Sequence, residues 1–159
     1  MSTRNAIGLE ATLAAELAHQ LNDLLAHYSV FYQNVRGFHW NIQGEKFFEL
    51  HLKFEELYND LLLKIDEIAE RILTLGSSPD HRFSVYAQTS TIAESAPISD
   101  GITAVEHILT AFQTLLIKQR ALLTLAADAQ DEGTQALMSD YIRAQEKMVW
   151  MYSAFLQRS

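Results

Sequence analysis

The sequence predicts an all-α fold: four long helices, with a long connection between the second and the third. Two observations carry this. Apolar residues recur at three-to-four spacing through four separate stretches, which is the signature of one buried face per helix. Clusters of turn-forming residues fall between the stretches, and both prolines, Pro79 and Pro97, lie in the same long connection.

The first helix is drawn from Leu9, Leu13, Leu17, Leu21, Leu24, Tyr28, Phe31 and Val35, with no proline to interrupt it. Asn41-Ile42-Gln43-Gly44 supplies the break. A second series runs Phe47, Leu50, Phe54, Leu57, Leu61, Ile65, Ile68 and Ile72, and Gly76 followed by Ser77-Ser78-Pro79-Asp80 ends it. Residues 77–98 form the long connection. Thr91 and Glu94 have capping-box spacing before Pro97, so a short helix is expected there. Ser99 and Asp100 offer caps for the third helix, whose series is Ile102, Val105, Ile108, Phe112, Leu115, Leu122 and Leu125. Gly133 is read as the break before the fourth, with Leu137, Tyr141, Met148, Met151 and Phe155. Short first and last turns with a long crossover in the middle describe the ferritin-like form of the four-helix bundle. Residues 1–159 are expected to make one such domain, since the chain has enough apolar content, 48%, for one core and too little length for two.

Composition narrows the chemistry. The chain has no cysteine, so disulfides, thiolate metal sites and cysteine nucleophiles are excluded, and any metal must sit on His, Asp or Glu. No targeting segment or membrane span is read from the sequence, and a cytoplasmic protein without membrane contact is expected. Twelve Lys+Arg against twenty Asp+Glu give a formal net charge of -8, which repels a phosphate backbone. Arg4 is the only basic residue before Arg36, so neither end offers a cationic arm, and DNA binding is disfavoured.

Two pairs on the second helix stand out. His51 and Glu55 are four residues apart, as are Asp66 and Glu70, so each pair projects from one face in adjacent turns. His39 precedes the first turn. An isolated pair of this kind is more often a solvated helix face than a ligand set. The pairs are fifteen residues apart, a rotation of only about 60° but a displacement of roughly 22 Å along the axis. One metal centre cannot span both within one chain. An antiparallel pairing of this helix with its own copy, centred near Asp60 and Leu61, sets His51 against Glu70 and Glu55 against Asp66. Such histidines and carboxylates suit iron, with zinc or manganese also compatible. Glu16 and His19 form a Glu-x-x-His unit, but the second unit and the further glutamates of an intrasubunit di-iron site are missing. His19, His27, His81 and His107 are read as surface or packing residues.

Phe38-His39-Trp40-Asn41-Ile42-Gln43-Gly44, Phe47-Phe48-Glu49-Leu50-His51 and Asp66-Glu67-Ile68-Ala69-Glu70-Arg71-Ile72 together resemble the signature of the Dps family, the miniferritins. The resemblance implies a homo-oligomer, a dodecamer built from two-fold dimers. It implies a ferroxidase that takes ferrous iron and hydrogen peroxide or dioxygen, stores ferric mineral in a cage and protects against oxidative stress. It also implies the ligands: His39, His51 and position 55 from one subunit, Asp66 and Glu70 from its mate. Position 55 is Glu where the family usually has Asp, a longer arm that can still coordinate. Glu56 and Asp60 are read evenly as mineral-nucleating or merely solvated residues. Trp40 is expected beside the metal site or as an aromatic anchor. Asp128, Asp131 and Glu132 match the place of an acidic iron-entry pore, or alternatively cap a helix. A DNA-compacting Dps protein with secondary iron chemistry is the competing function.

Overall fold

The computed structural model describes residues 3–158. Five helices follow in order: α1 Ala11–Asn41, α2 Phe47–Thr74, α3 Phe83–Thr89, α4 Gly101–Asp128 and α5 Glu132–Phe155. The short connections make α1 pack on α2 and α4 on α5, while α1 also meets α4 and α3. The four long helices and the crossover bearing α3 are the arrangement expected from the sequence.

Sequence chemistry explains the ends. Leu9 lies outside the first helix, because Glu10 caps it: the Glu10 carboxylate accepts from the backbone N–H of Leu13 and Thr12, which holds its pKa below the usual glutamate range. Gly76, at φ 95°, ends α2 in a left-handed residue, with Ser77 N–H bonding the Ile72 carbonyl and Gly76 N–H that of Leu73. Asp100 caps α4 through the Thr103 N–H, as read.

Two expectations about the connections need correction. The short helix of the crossover starts at Phe83, so Thr91 and Glu94 do not cap it. Gly133 does not separate the last two helices. Gln130, at φ 58°, makes the left-handed turn, with Asp131 N–H bonding Ala126 and Gln130 N–H bonding Ala127. Gly133 sits in the first turn of α5, where a Cβ would lie 2.8 Å from the Arg71 guanidinium. Its purpose is close approach, and a left-handed glutamine carries no comparable signal in the sequence.

The core is lined by one face of each long helix, including Leu17, Leu21, Phe31, Phe54, Leu61, Ile68, Phe112 and Met138. Ile102, Met151 and Phe155 of the apolar series are instead exposed. The crossover is held to α1 by three polar side chains. Asn22 donates to Ser78 O and accepts from Asp80 N–H, Asn34 donates to Ala93 O and accepts from Ser95 N–H, and His27 Nε2 accepts from Thr91 N–H. These bonds satisfy the backbone of a long irregular segment that has no ladder of its own. Among the described residues no helix is long and apolar enough to cross a membrane.

Candidate metal centre

His39 lies in the last turn of α1 and His51 in the first turns of α2, so the tight α1–α2 connection brings them together. Their rings stack with centroids 3.8 Å apart and planes 13° apart. The backbone contacts are reciprocal: His39 Nδ1 donates to the His51 carbonyl at 2.6 Å, and His51 Nδ1 donates to the His39 carbonyl at 2.7 Å. A carbonyl can only accept, so both Nδ1 atoms carry the proton, and the neutral rings keep the lone pair on Nε2. Among the described residues no buried side-chain nitrogen or oxygen lacks a partner, so these Nε2 atoms open toward solvent and not into the core. Phe47 stacks on His51 at 4.8 Å and Tyr58 meets His39 edge-on at 5.3 Å, which fixes the rings from either side. The result is a pair of oriented imidazole donors.

The acids of α2 divide sharply. Glu49 pairs with Lys46, Glu56 with Lys53 and Asp60 with Lys64, while Glu67 accepts from the Tyr141 hydroxyl. Among the described residues Glu55, Asp66 and Glu70 engage no side chain. Glu55 is half-buried, and Asp66 and Glu70 are exposed. Glu56 and Lys53 form an exposed ion pair, whereas both Asp60 carboxylate oxygens lie 2.7 Å from Nζ of Lys64, a buried lysine whose charge also sits 5.3 Å from the Tyr141 ring centroid.

The unengaged acids share their face with exposed apolar residues. Phe48, Leu52, Leu62, Leu63 and Leu73 of α2 are all exposed. At 100° per residue they fall with His51, Glu55, Asp66 and Glu70 inside an arc of about 120°. The chain therefore presents a stripe of leucines and unpaired carboxylates next to the two histidines. Among the described residues, no three or more metal-binding side chains converge within the single chain. The structure joins His39 to His51 and leaves Asp66 and Glu70 further along the same helix.

Trp40 is 58% exposed, with the Arg36 guanidinium 4.9 Å from its ring, so the core-anchor reading is wrong for the single chain. The pore reading fails at Asp131. That residue is 2% exposed, pairs with Arg71 at 2.7 Å and caps α5 through Thr134, whereas Asp128 and Glu132 are exposed. A buried, paired helix cap cannot line an aqueous pore. His19, His81 and His107 are at the surface; His27 is fully buried. Its clamp on the crossover escaped sequence reading, because nothing local links position 27 to position 91.

The ferritin-like domain profile matches residues 18–159. The chain is 55% identical to a Dps protein from Vibrio cholerae, described as a member of a broad superfamily of ferritin-like diiron-carboxylate proteins, and superposes with a TM-score of 0.96 over 98% of both chains. It is 42% identical to the DNA protection during starvation protein of Porphyromonas gingivalis, over 93% of each. An uncharacterized protein of Haemophilus influenzae is 50% identical over 98% of this chain and 97% of its own length. The chain belongs to the ferritin-like proteins and, within them, to the Dps family.

Proposed function

We propose that this protein is a ferroxidase that oxidises ferrous iron, with hydrogen peroxide or dioxygen as acceptor, at sites shared between two subunits, and stores the ferric product as mineral inside a cage. The carrying observation is the division among the α2 acids: the three that engage no side chain are Glu55, Asp66 and Glu70, on the face that adjoins the locked His39–His51 pair. An unpaired carboxylate gains most from a cation, and imidazole with carboxylate donors suits both ferrous and ferric iron.

The exposed stripe favours a second copy as the missing half. Antiparallel pairing about Asp60 and Leu61 sets His51 against Glu70 and Glu55 against Asp66, and in the same register Phe48 meets Leu73 and Leu52 meets Ala69. Apolar burial then supplies the association energy while the polar positions coincide. His39 and His51 give oriented Nε2 lone pairs, and Asp66 and Glu70 of the mate offset the positive charge that grows on oxidation. Six such dimers closing into a dodecamer is the assembly the family suggests. In this reading residues 1–159 act as one domain in the cytoplasm, with protection against oxidative stress as the physiological benefit.

DNA compaction is the reading we set aside. Besides the net charge, residues 3–11 are tied down: Ala11 N–H bonds Thr3 O, Asn5 reaches Leu75 O and Arg4 reaches Gly8 O. Metal-free protein should leave duplex DNA unretarded at physiological salt.

The shared site is tested by complementation. Cages of His51→Ala or of Asp66→Ala should each lose rapid ferrous oxidation. After dissociation and co-assembly, about half of the dimers are mixed and each regains one intact site of two, so roughly a quarter of wild-type initial rate returns. Mixed cages, verified by mass, that oxidise iron no faster than either parent would refute the intersubunit site.

A further inference from the structure

We propose that Gly101, at the start of α4, is a positioning residue of the candidate metal centre: its missing side chain lets α4 brace the α1–α2 turn in the arrangement that stacks His39 on His51. The inference rests on the reading of that histidine pair as half of a metal centre and names what holds it in place.

The pair asks much of the turn. Each histidine ring must reach the backbone carbonyl of the other, at 2.6 and 2.7 Å, across a separation of twelve residues. Local bonds give limited support. Ile42 N–H closes α1 on the Phe38 carbonyl and Phe47 N–H bonds Gly44 O, but Lys46, where α2 begins, makes no side-chain bond to its helix. The remaining support comes from the far end of the crossover. Among the described residues, the one hydrogen bond from this turn to another part of the chain runs from Gln43 N–H to Ser99 O, at 3.0 Å. Two residues on, Gly101 meets Ile42 and Leu50, which are 2% and 3% exposed. Leu50 directly precedes His51, and Ile42 ends the helix that carries His39.

A Cβ on Gly101 would lie 3.5 Å from Ile42 Cδ1, an ordinary contact, but 2.5 Å from Leu50 Cδ1. Non-bonded carbons rest about 3.5–4.0 Å apart, so one of the two must give way by about 1 Å. The Gly101 backbone is helical, a conformation that alanine prefers, so close approach is what calls for glycine there. Leu50 has little freedom to yield by itself. A leucine in a helix has few staggered rotamers, and a small swing takes a buried one off its well. The first turn of α2 is the softer element, because no side chain caps it. The displacement passes into the backbone at Leu50 and moves the carbonyl and ring of His51. Both reciprocal bonds then fail, and with them the constraint that keeps the protons on Nδ1 and turns the Nε2 lone pairs outward.

The test compares assembled wild-type protein with Gly101→Ala, with Gly101→Ala combined with Leu50→Val, and with Tyr28→Phe. Cobalt(II) is titrated into each, and the visible spectrum of the bound ion is recorded. Leu50→Val withdraws the δ-methyl groups that the new Cβ would meet, and Tyr28→Phe weakens the fold away from the histidines. Gly101→Ala should bind cobalt about ten- to a hundredfold more weakly, with an altered spectrum, as loss of a partner that orients a metal-ligating histidine does. The double variant should recover wild-type affinity and spectrum, and Tyr28→Phe should keep them. Wild-type binding in Gly101→Ala, a folded double variant that stays weak, or equal weakening in Tyr28→Phe overturns the proposal. If only the double variant assembles, its affinity decides in the same way. If neither assembles, the proposal is overturned, because Gly101 then serves the fold as a whole. Cobalt binding to wild-type protein that survives His51→Ala unchanged overturns the metal-centre reading instead.

Discussion

Two polar clusters in this molecule obey opposite rules. In the core, the Tyr28 hydroxyl donates to Gln119 at 2.5 Å, Gln119 donates to Gln145 at 2.8 Å, and Gln145 donates back to Tyr28 at 2.6 Å. All three are fully buried and the ring closes on itself. On the outer face of α2, Glu55, Asp66 and Glu70 close on nothing. A satisfied buried network contributes to stability and specifies the packing of α1, α4 and α5. An unsatisfied exposed one contributes little to the fold and is available to a cation or to another copy of the chain. The acids at the α4–α5 turn belong with the first kind, since Asp131 is closed by Arg71 and Thr134.

The largest effect should therefore come from the closed acid. Asp131→Ala strands the half-buried Arg71 guanidinium and removes the cap of α5, and breaking a buried pair of this kind costs about 3–5 kcal/mol. Asp128→Ala, one turn earlier and exposed, should stay within about 0.5 kcal/mol. Chemical denaturation of the two variants at equal protein concentration separates them; equal stabilities would mean that the Asp131 pair is no part of the fold's support.

Breaking the core ring comes next. Tyr28→Phe removes a hydroxyl that both donates and accepts, leaving Gln119 and Gln145 each short of a partner in the dry interior, at a cost of about 1–3 kcal/mol. Iron oxidation should persist, because the ring touches neither histidine of the candidate centre. Loss of oxidation in a fully folded Tyr28→Phe cage would show that the two clusters are coupled.

How much of this was legible depends on distance along the chain. The long helices, the Gly76 stop and the Asp100 cap were readable because each is encoded within a few residues. The ligand candidates were readable as residue types: spacing puts Asp66 and Glu70 on one helical face, and the family pattern singles out His39. The division of the α2 acids is encoded locally as well: Glu49, Glu56 and Asp60 each have a lysine three or four residues away, whereas Glu55, Asp66 and Glu70 have no lysine or arginine at that spacing, and Lys53 beside Glu55 and Arg71 beside Glu70 lie one or two residues off, where side chains do not face each other. The Gln130 turn, the Arg71–Asp131 pair and the hold of His27 on Thr91 were invisible. They join residues sixty or more apart, or ask an ordinary side chain to adopt an unusual backbone.

The His27 clamp gives a milder, pH-dependent effect. Burial lowers its pKa, opposed by the bond to the Asp23 carbonyl and the Asp23 carboxylate, with Lys118 of α4 adding to the lowering. The unfolded chain then binds the extra proton near the ordinary value of 6.5 while the folded chain does not. Stability should fall as pH drops below that value, until the lowered folded pKa is passed, with a slope of at most about 1.4 kcal/mol per pH unit from this group. His27→Gln, which keeps an acceptor for Thr91 N–H, should flatten the slope. An unaltered slope would assign the acid sensitivity to other groups.

The smallest effect on the metal-free protein is expected where function is proposed. Asp66→Asn removes a carboxylate that has no partner in the single chain, at an exposed position, so unfolding should change by no more than about 0.5 kcal/mol. In the paired assembly proposed above it would also relieve repulsion from Glu55 of the second copy, which tips the sign toward stabilisation. Divalent metal reverses the order of the two proteins. Zinc(II), which occupies such ligands without redox chemistry, stabilises whatever state binds it, by about 2.7 kcal/mol at a hundred times its dissociation constant. Wild-type protein should gain that increment, and Asp66→Asn should gain markedly less at the same free zinc concentration, because one ligand of the set is weakened. The measurement is denaturant unfolding with and without buffered zinc, at one protein concentration so that assembly is held fixed. A variant that loses several kcal/mol without metal would place Asp66 with Asp131 among the closed acids, and equal zinc stabilisation of both proteins would remove it from the metal centre.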